Sequence, residues 1–209
     1  MTRRTGIPIV ISAASGTGKT SLCKKLLGSL SHVARSISFT TRPPRGDEVD
    51  GNDYHFVDDA TFQQMIREDA FFEWARVFDR HYGTGIQAVR DQLAGGVDVL
   101  LDIDVQGGAQ VKERMPDALT IFLLPPSMDE LRRRLVNRGT DAPEAIERRL
   151  AEARHEIAQG QGYDYLIVND DFEQAAADLR AIVRTHRLRA NRPRELVGAL
   201  LDGARGAED

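Results

Sequence analysis

Lys19 and Thr20 close the run Ile9-Val10-Ile11-Ser12-Ala13-Ala14-Ser15-Gly16-Thr17-Gly18-Lys19-Thr20-Ser21. A β-branched stretch gives way to small residues, and a helical pattern follows from Ser21 to Leu30. A strand, a tight loop and a helix N-terminus in that order form a cradle for nucleotide phosphates. Successive backbone N–H groups turn toward the anion, and only small residues let the backbone come that close. Ala13, Ala14, Ser15, Gly16, Thr17, Gly18, Lys19 and Thr20 are the expected donor-nucleotide loop. Lys19 would place a point charge at the β- and γ-phosphates, and the Thr20 hydroxyl would ligate Mg2+. One residue is off-pattern: Ala13 stands where the general loop motif has its leading glycine.

A triphosphate loop does not name an acceptor. Arg42 and Arg45, with Glu48 and Tyr54, lie in a polar, turn-rich segment beside Ser38, Thr40 and Thr41. Two forked guanidiniums three residues apart suit a phosphate monoester, and solvated loop arginines are the plain alternative. Glu73 is a lone carboxylate in Phe71-Phe72-Glu73-Trp74. It is either a solvent-side residue of an alternating strand or an acceptor of two parallel N–H bonds, such as the edge of guanine offers. His32, His55, His81, His155 and His186 share no site-like spacing, and Cys23, beside Leu22 and Leu26, is expected to be a buried filler.

The elements that must position these groups follow from periodicity. Val97–Ile103 is apolar enough for a strand buried on both faces, Leu119–Leu124 is a further apolar run stopped by Pro125-Pro126, and Tyr165–Val168 is expected to be one more short buried strand. Helices are expected at Asp59–Arg67, Ile86–Leu93, Gln110–Met115, from the Ser127 capping box to Gly139, from Ala142 to Gln159, and at Phe172–Arg187. Phe71–Val77 reads as a strand with one buried face, and residues 81–84 as a turn. Strands alternating with helices imply an α/β fold with a parallel sheet covered on both faces, and the β-rich text at 36–86 interrupts that rhythm as an inserted lobe. With 209 residues, 41% hydrophobic, 29% charged and a net charge of −4, the chain is an ordinary globular one with no global pull toward nucleic acid or anionic membrane. A single cysteine rules out an internal disulfide, and a cytoplasmic location is expected.

From about residue 7 to 187 the chain resembles the bacterial type of guanylate kinase, a P-loop nucleoside-monophosphate kinase family. The resemblance is carried, in order, by the loop above, Ser38-Phe-Thr-Thr-Arg-Pro-Pro-Arg45-Gly-Asp-Glu48, Gly51-Asn-Asp-Tyr54-His-Phe, Phe72-Glu73-Trp-Ala and Tyr82-Gly83-Thr84. It continues through Leu101-Asp102-Ile-Asp104-Val-Gln-Gly107, Arg134-Leu-Val-Asn-Arg138-Gly139 and Ile167-Val-Asn169-Asp-Asp171. It implies a three-layer core around a central parallel sheet (7–35, 87–126 and 150–187), a β-rich GMP-binding lobe (36–86), a mobile helical lid (127–149) and a tail (188–209). The implied reaction is Mg2+-dependent transfer of the ATP γ-phosphoryl group to GMP, with Lys19, Arg45, Arg134, Arg138 and Arg149 as catalytic charges. Arg42, Arg45, Tyr54 and Tyr82 match positions that hold the GMP phosphate, and Glu48 joins the GMP set. Ser38, Glu73 and Thr84 match those that read guanine. Asp102 and Asp104 match acidic positions near the acceptor and Mg2+, Asp102 through water, and Asn169 matches the adenine pocket. No nucleic-acid or membrane partner is expected; dGMP as a second acceptor and the oligomeric state stay open. Two other readings are a non-catalytic, phosphopeptide-binding module of the same family and a P-loop kinase for another small phosphate acceptor.

Overall fold

The computed structural model describes residues 4–77, 79–137, 142–189, 197 and 201. β1 (Pro8–Ala13) runs through the loop at 14–18 into α1 (Lys19–Ser29), and β2 (Val33–Arg35) follows. The chain then builds β3 (Phe39–Thr40), β4 (His55–Phe56), α2 (Asp59–Arg67), β5 (Phe71–Val77) and β6 (Arg80–Gly85). α3 (Ile86–Ala94) leads back to β7 (Asp98–Asp102), α4 (Val105–Arg114) and β8 (Leu119–Leu124). α5 (Met128–Asn137), α6 (Pro143–Gln159), a short 3-10 turn at Gly160–Gly162, β9 (Tyr165–Val168) and α7 (Phe172–Arg187) complete the order.

β1 is buried at every residue: β7 and β8 pair with it in parallel on its two edges, and helices cover both of its faces. The five-stranded sheet has the order β2-β7-β1-β8-β9, all parallel. Alternation along β1 splits the core: Ile9 and Ile11 pack under α1 and α7 with Leu22, Leu26, Leu179 and Val183. Val10 faces the opposite layer with Val99, Leu101, Val89 and Val111 of α3 and α4. The chain winds to one side of β1 and then to the other, so the carboxyl ends of β1 and β7 flank the crevice where open α/β sheets bind ligands. The second sheet, β4-β3-β6-β5, lies within residues 36–86; β5 and β6 pair antiparallel.

Four expectations change. Residues 81–84 are no turn but the middle of β6, paired with both β3 and β5. Glycine there marks close approach: a Cβ at Gly83 would sit 2.9 Å from Phe71 Cδ1. α4 begins at Val105, not at 110, because the Asp104 side chain caps it by accepting from Gly107 N at 2.8 Å. β9 is an edge strand, so Leu166 and Val168 are half-exposed where a buried strand was expected. Phe71, Phe72 and Glu73 are all buried in succession, since an irregularity in the β5–β6 register breaks strict alternation. Cys23 is a core filler whose thiol is pushed up to about 12, chiefly by burial.

Candidate functional site

The expected donor loop starts at the end of β1. Ala13 is still a strand residue, paired with Leu123, so no special backbone conformation is asked of it. The left-handed positions fall on Gly16 (φ 94°) and Gly18 (φ 100°), where a side chain would be strained. Space also excludes one: a Cβ at Gly16 would lie 3.0 Å from Leu131 and Leu135, and one at Gly18 2.6 Å from Asn169 Nδ2. Gly18 is the N-cap of α1 and no side chain caps that helix, leaving its first-turn N–H groups without a capping acceptor. Ala14 packs on Leu131 of α5 and Ala153 of α6, which fixes the loop from behind. The buried Thr17 Oγ1 has no hydrogen-bond partner.

Lys19 points across the sheet: its Nζ donates to Ile103 O at 2.8 Å and pairs with Asp102 Oδ1 at 2.9 Å. Thr20 is exposed in the first turn of α1. Asn169 donates from Nδ2 to Thr17 O at 2.6 Å, so it braces the loop. Arg134 is half-buried; Nε donates to Glu130 at 2.7 Å and Nη2 to Asn169 O at 3.0 Å. Arg149 is a half-buried residue of α6, and Arg138 lies outside the described residues. Arg132 and Arg133 are exposed and ion-paired with Glu147 and Glu130.

Six of the residues expected on the acceptor side, Ser38, Tyr54, Glu73, Tyr82, Asp102 and Asp104, line one cleft of about 210 Å3. Glu73, 9% exposed, receives the Thr84 hydroxyl at 2.5 Å on Oε1, and Thr84 itself is fully buried behind it. Burial raises the Glu73 carboxyl above the ordinary range, and the Thr84 hydrogen bond works against that rise. Arg42 is buried, its guanidinium 4.8 Å over the Tyr54 ring, and it forms a two-pronged pair with Glu48 at 2.5 and 2.7 Å. Glu48 is thus the partner of Arg42 and not one of the residues lining the cleft. It also accepts from Arg45 N, while Arg45 itself is exposed.

Sequence reasoning passed over four contributors. Arg35 and Asp53 line the cleft; Arg35 stands 3.8 Å from Asp102. Asp53 could have been found from its place beside Tyr54. Ile103 supplies a carbonyl, which no side-chain pattern reveals. Glu156 lies three residues beyond Ala153 on α6, and burial raises its carboxyl against a hydrogen bond from Ser15 N–H.

Among the described residues no helix is long and apolar enough to cross a membrane. The family model described as guanylate kinase matches residues 5–186. The guanylate kinase of Neisseria meningitidis serogroup B is 49% identical over 201 residues, 96% of this chain and 98% of the relative. That of Alkalilimnicola ehrlichii is 51% identical over 196 residues, 94% and 97% of the two chains. The crystal structure of guanylate kinase from Anaplasma phagocytophilum superposes with a TM-score of 0.72 at 35% identity, covering 94% of this chain and 96% of that one. A strand–loop–helix turn and a carboxylate-backed cleft, linked by the Lys19–Asp102 pair, therefore sit in a sequence matched over most of its length by such enzymes, and the chain belongs to the guanylate kinase family.

Proposed function

We propose that this protein is a guanylate kinase that transfers the γ-phosphoryl group of ATP to GMP, giving ADP and GDP. One observation carries the assignment: the cleft that holds the buried Glu73 also holds Asp102, the partner of the loop lysine. Donor and acceptor chemistry therefore meet in one crevice. Glu73 accepts the two N–H groups of the guanine edge, with Ser38 and Thr84 beside it, and Arg42, Arg45, Tyr54 and Tyr82 receive the GMP phosphate.

An oxygen of the GMP phosphate attacks the γ-phosphorus, the bond to the bridging oxygen breaks, and ADP departs. The nucleophile is already anionic near neutral pH, so no general base is required. Rate comes from alignment and from charges set against the transferring group. Lys19 supplies one, and Arg134, Arg138 and Arg149 supply others as residues 127–149 close over the crevice. Residues 36–86 act as the acceptor lobe, and closure of both parts keeps water from the γ-phosphate.

The residues present suit the nucleotide and its metal. The uncapped α1 N-terminus and the orphaned Thr17 hydroxyl face no competing protein acceptor. Thr20 and Asp102 would hold Mg2+, Asp102 through water, with the phosphates completing its shell. Bound there, Mg2+ would neutralise charge between the β- and γ-phosphates. The non-catalytic alternative fits poorly with Gly16, Gly18, Lys19 and Thr20 all in place.

A coupled ADP-release assay with ATP and Mg2+ across AMP, GMP, CMP and UMP tests the assignment, with GMP expected to be preferred. Lys19→Ala should lower turnover on the order of 10²–10³-fold with any acceptor, whereas Glu73→Ala should weaken GMP selectively. Undiminished transfer by the Lys19 variant would refute the donor half.

A further inference from the structure

Gly107 sits in the first turn of α4, where glycine has no evident backbone reason to be. It shows no left-handed φ, and a helical glycine is about 1 kcal/mol less favourable than alanine. What it has is a neighbour. A Cβ at 107 would stand 3.1 Å from Glu73 Oε2, 3.2 Å from Cγ and 3.3 Å from Cδ, all inside ordinary van der Waals contact. The other carboxylate oxygen, Oε1, is held by the Thr84 hydroxyl at 2.5 Å. Glu73 therefore lies between a hydrogen bond from β6 and the bare backbone of α4. The same turn is pinned by the Asp104 cap and by Ser12 Oγ, which donates to Asp104 O at 3.2 Å. The wall cannot easily retreat.

We propose that Gly107 is a positioning residue for acceptor-base selection: its missing side chain gives the Glu73 carboxylate room to present itself to the purine edge. Any side chain at 107 displaces that carboxylate. This rests on the reading of Glu73 as the guanine acceptor, so the test separates the two.

The experiment compares kcat/KM for GMP and for inosine monophosphate, which lacks the exocyclic amine and so offers Glu73 one N–H in place of two. Gly107→Ala should cut the GMP-to-IMP ratio about tenfold, through KM for GMP. KM for ATP should be unchanged. In a Glu73→Ala background the same change should leave the ratio within about twofold, as interacting sites require. An unaltered ratio in Gly107→Ala would overturn the proposal. So would an equal fall in the Glu73→Ala background, which would mean a disturbed helix. If Glu73→Ala alone keeps the wild-type ratio, the Glu73 assignment itself fails, whatever Gly107 does.

Discussion

At the scale of single residues, the site is built from pairs whose members restrain each other. The spacing of Arg42 to Arg45 suggested a phosphate binder, but the bidentate tie of Arg42 to Glu48 was not legible, because side-chain pairing over a turn leaves no periodic trace. The tie holds the Glu48 carboxyl at about 2, first through the Arg42 hydrogen bond and then through Arg45 N–H. A carboxylate depressed in the folded state contributes stability above its unfolded value near 4.5, and that contribution is lost as pH falls toward about 2. The pair is intact at neutral pH, with the guanidinium fixed over Tyr54 and only part of its fork free for a ligand. Glu48→Gln should leave Arg42 in place but free to swing. KM for GMP is expected to rise about tenfold while KM for ATP stays within twofold. Steady-state kinetics with each substrate varied decides it; a matched rise in both constants would assign Glu48 to the general fold.

Elements were legible wherever burial imposes a period. β1, β7 and β8 announce themselves as apolar runs because both faces are covered, and α7 by its 3.6-residue stripe. Misreadings fell where tertiary contact overrides local preference: glycine in β6 under Phe71, a capped helix start at Asp104, and an edge position for β9. Asp98, the first residue of β7, shows a function for an element end that no motif marks. It is fully buried, pairs with Arg4, accepts from Ile7 N at 2.9 Å and from Arg187 Nε at 2.7 Å, and so ties the start of β1 and the end of α7 to the sheet. Removing a buried carboxylate strands its partners, and the cost is typically ~3 kcal/mol or more. For a chain of this size that is about 6–12 °C in melting temperature. Asp98→Ala should show this loss in thermal and urea unfolding, with kcat at 25 °C within about twofold because the residue is remote from the crevice. A variant that melts like the wild type would show the clamp to be energetically idle.

For the whole molecule, a net charge of −4 must coexist with two highly anionic substrates. The resolution is local: Lys19 and Arg35 converge on Asp102 in the cleft, Arg42 lies over Tyr54, one of the cleft's lining residues, and the carboxylates Asp102 and Glu48 pair with these cations. This division explains what a sequence can and cannot disclose. Residue types and order nominated candidates for both halves of a site, whereas the crevice exists only once β7 has been placed beside β1. The same division fixes the expected role of the metal. Among the described residues no cluster of three His, Cys, Asp or Glu could hold an ion alone, so Mg2+ should depend on nucleotide phosphates for most of its ligands. A metal that does not bind the free protein cannot stabilise it, since only ligands bound to the native state shift unfolding. Chelation with EDTA should therefore abolish phosphoryl transfer while leaving the melting temperature of the nucleotide-free protein within about 1 °C. ATP should raise that temperature more with Mg2+ than without it. Thermal melts in the four combinations of EDTA or Mg2+ with and without ATP provide the measurement, and a large fall on chelation of the free protein would reveal a structural metal site.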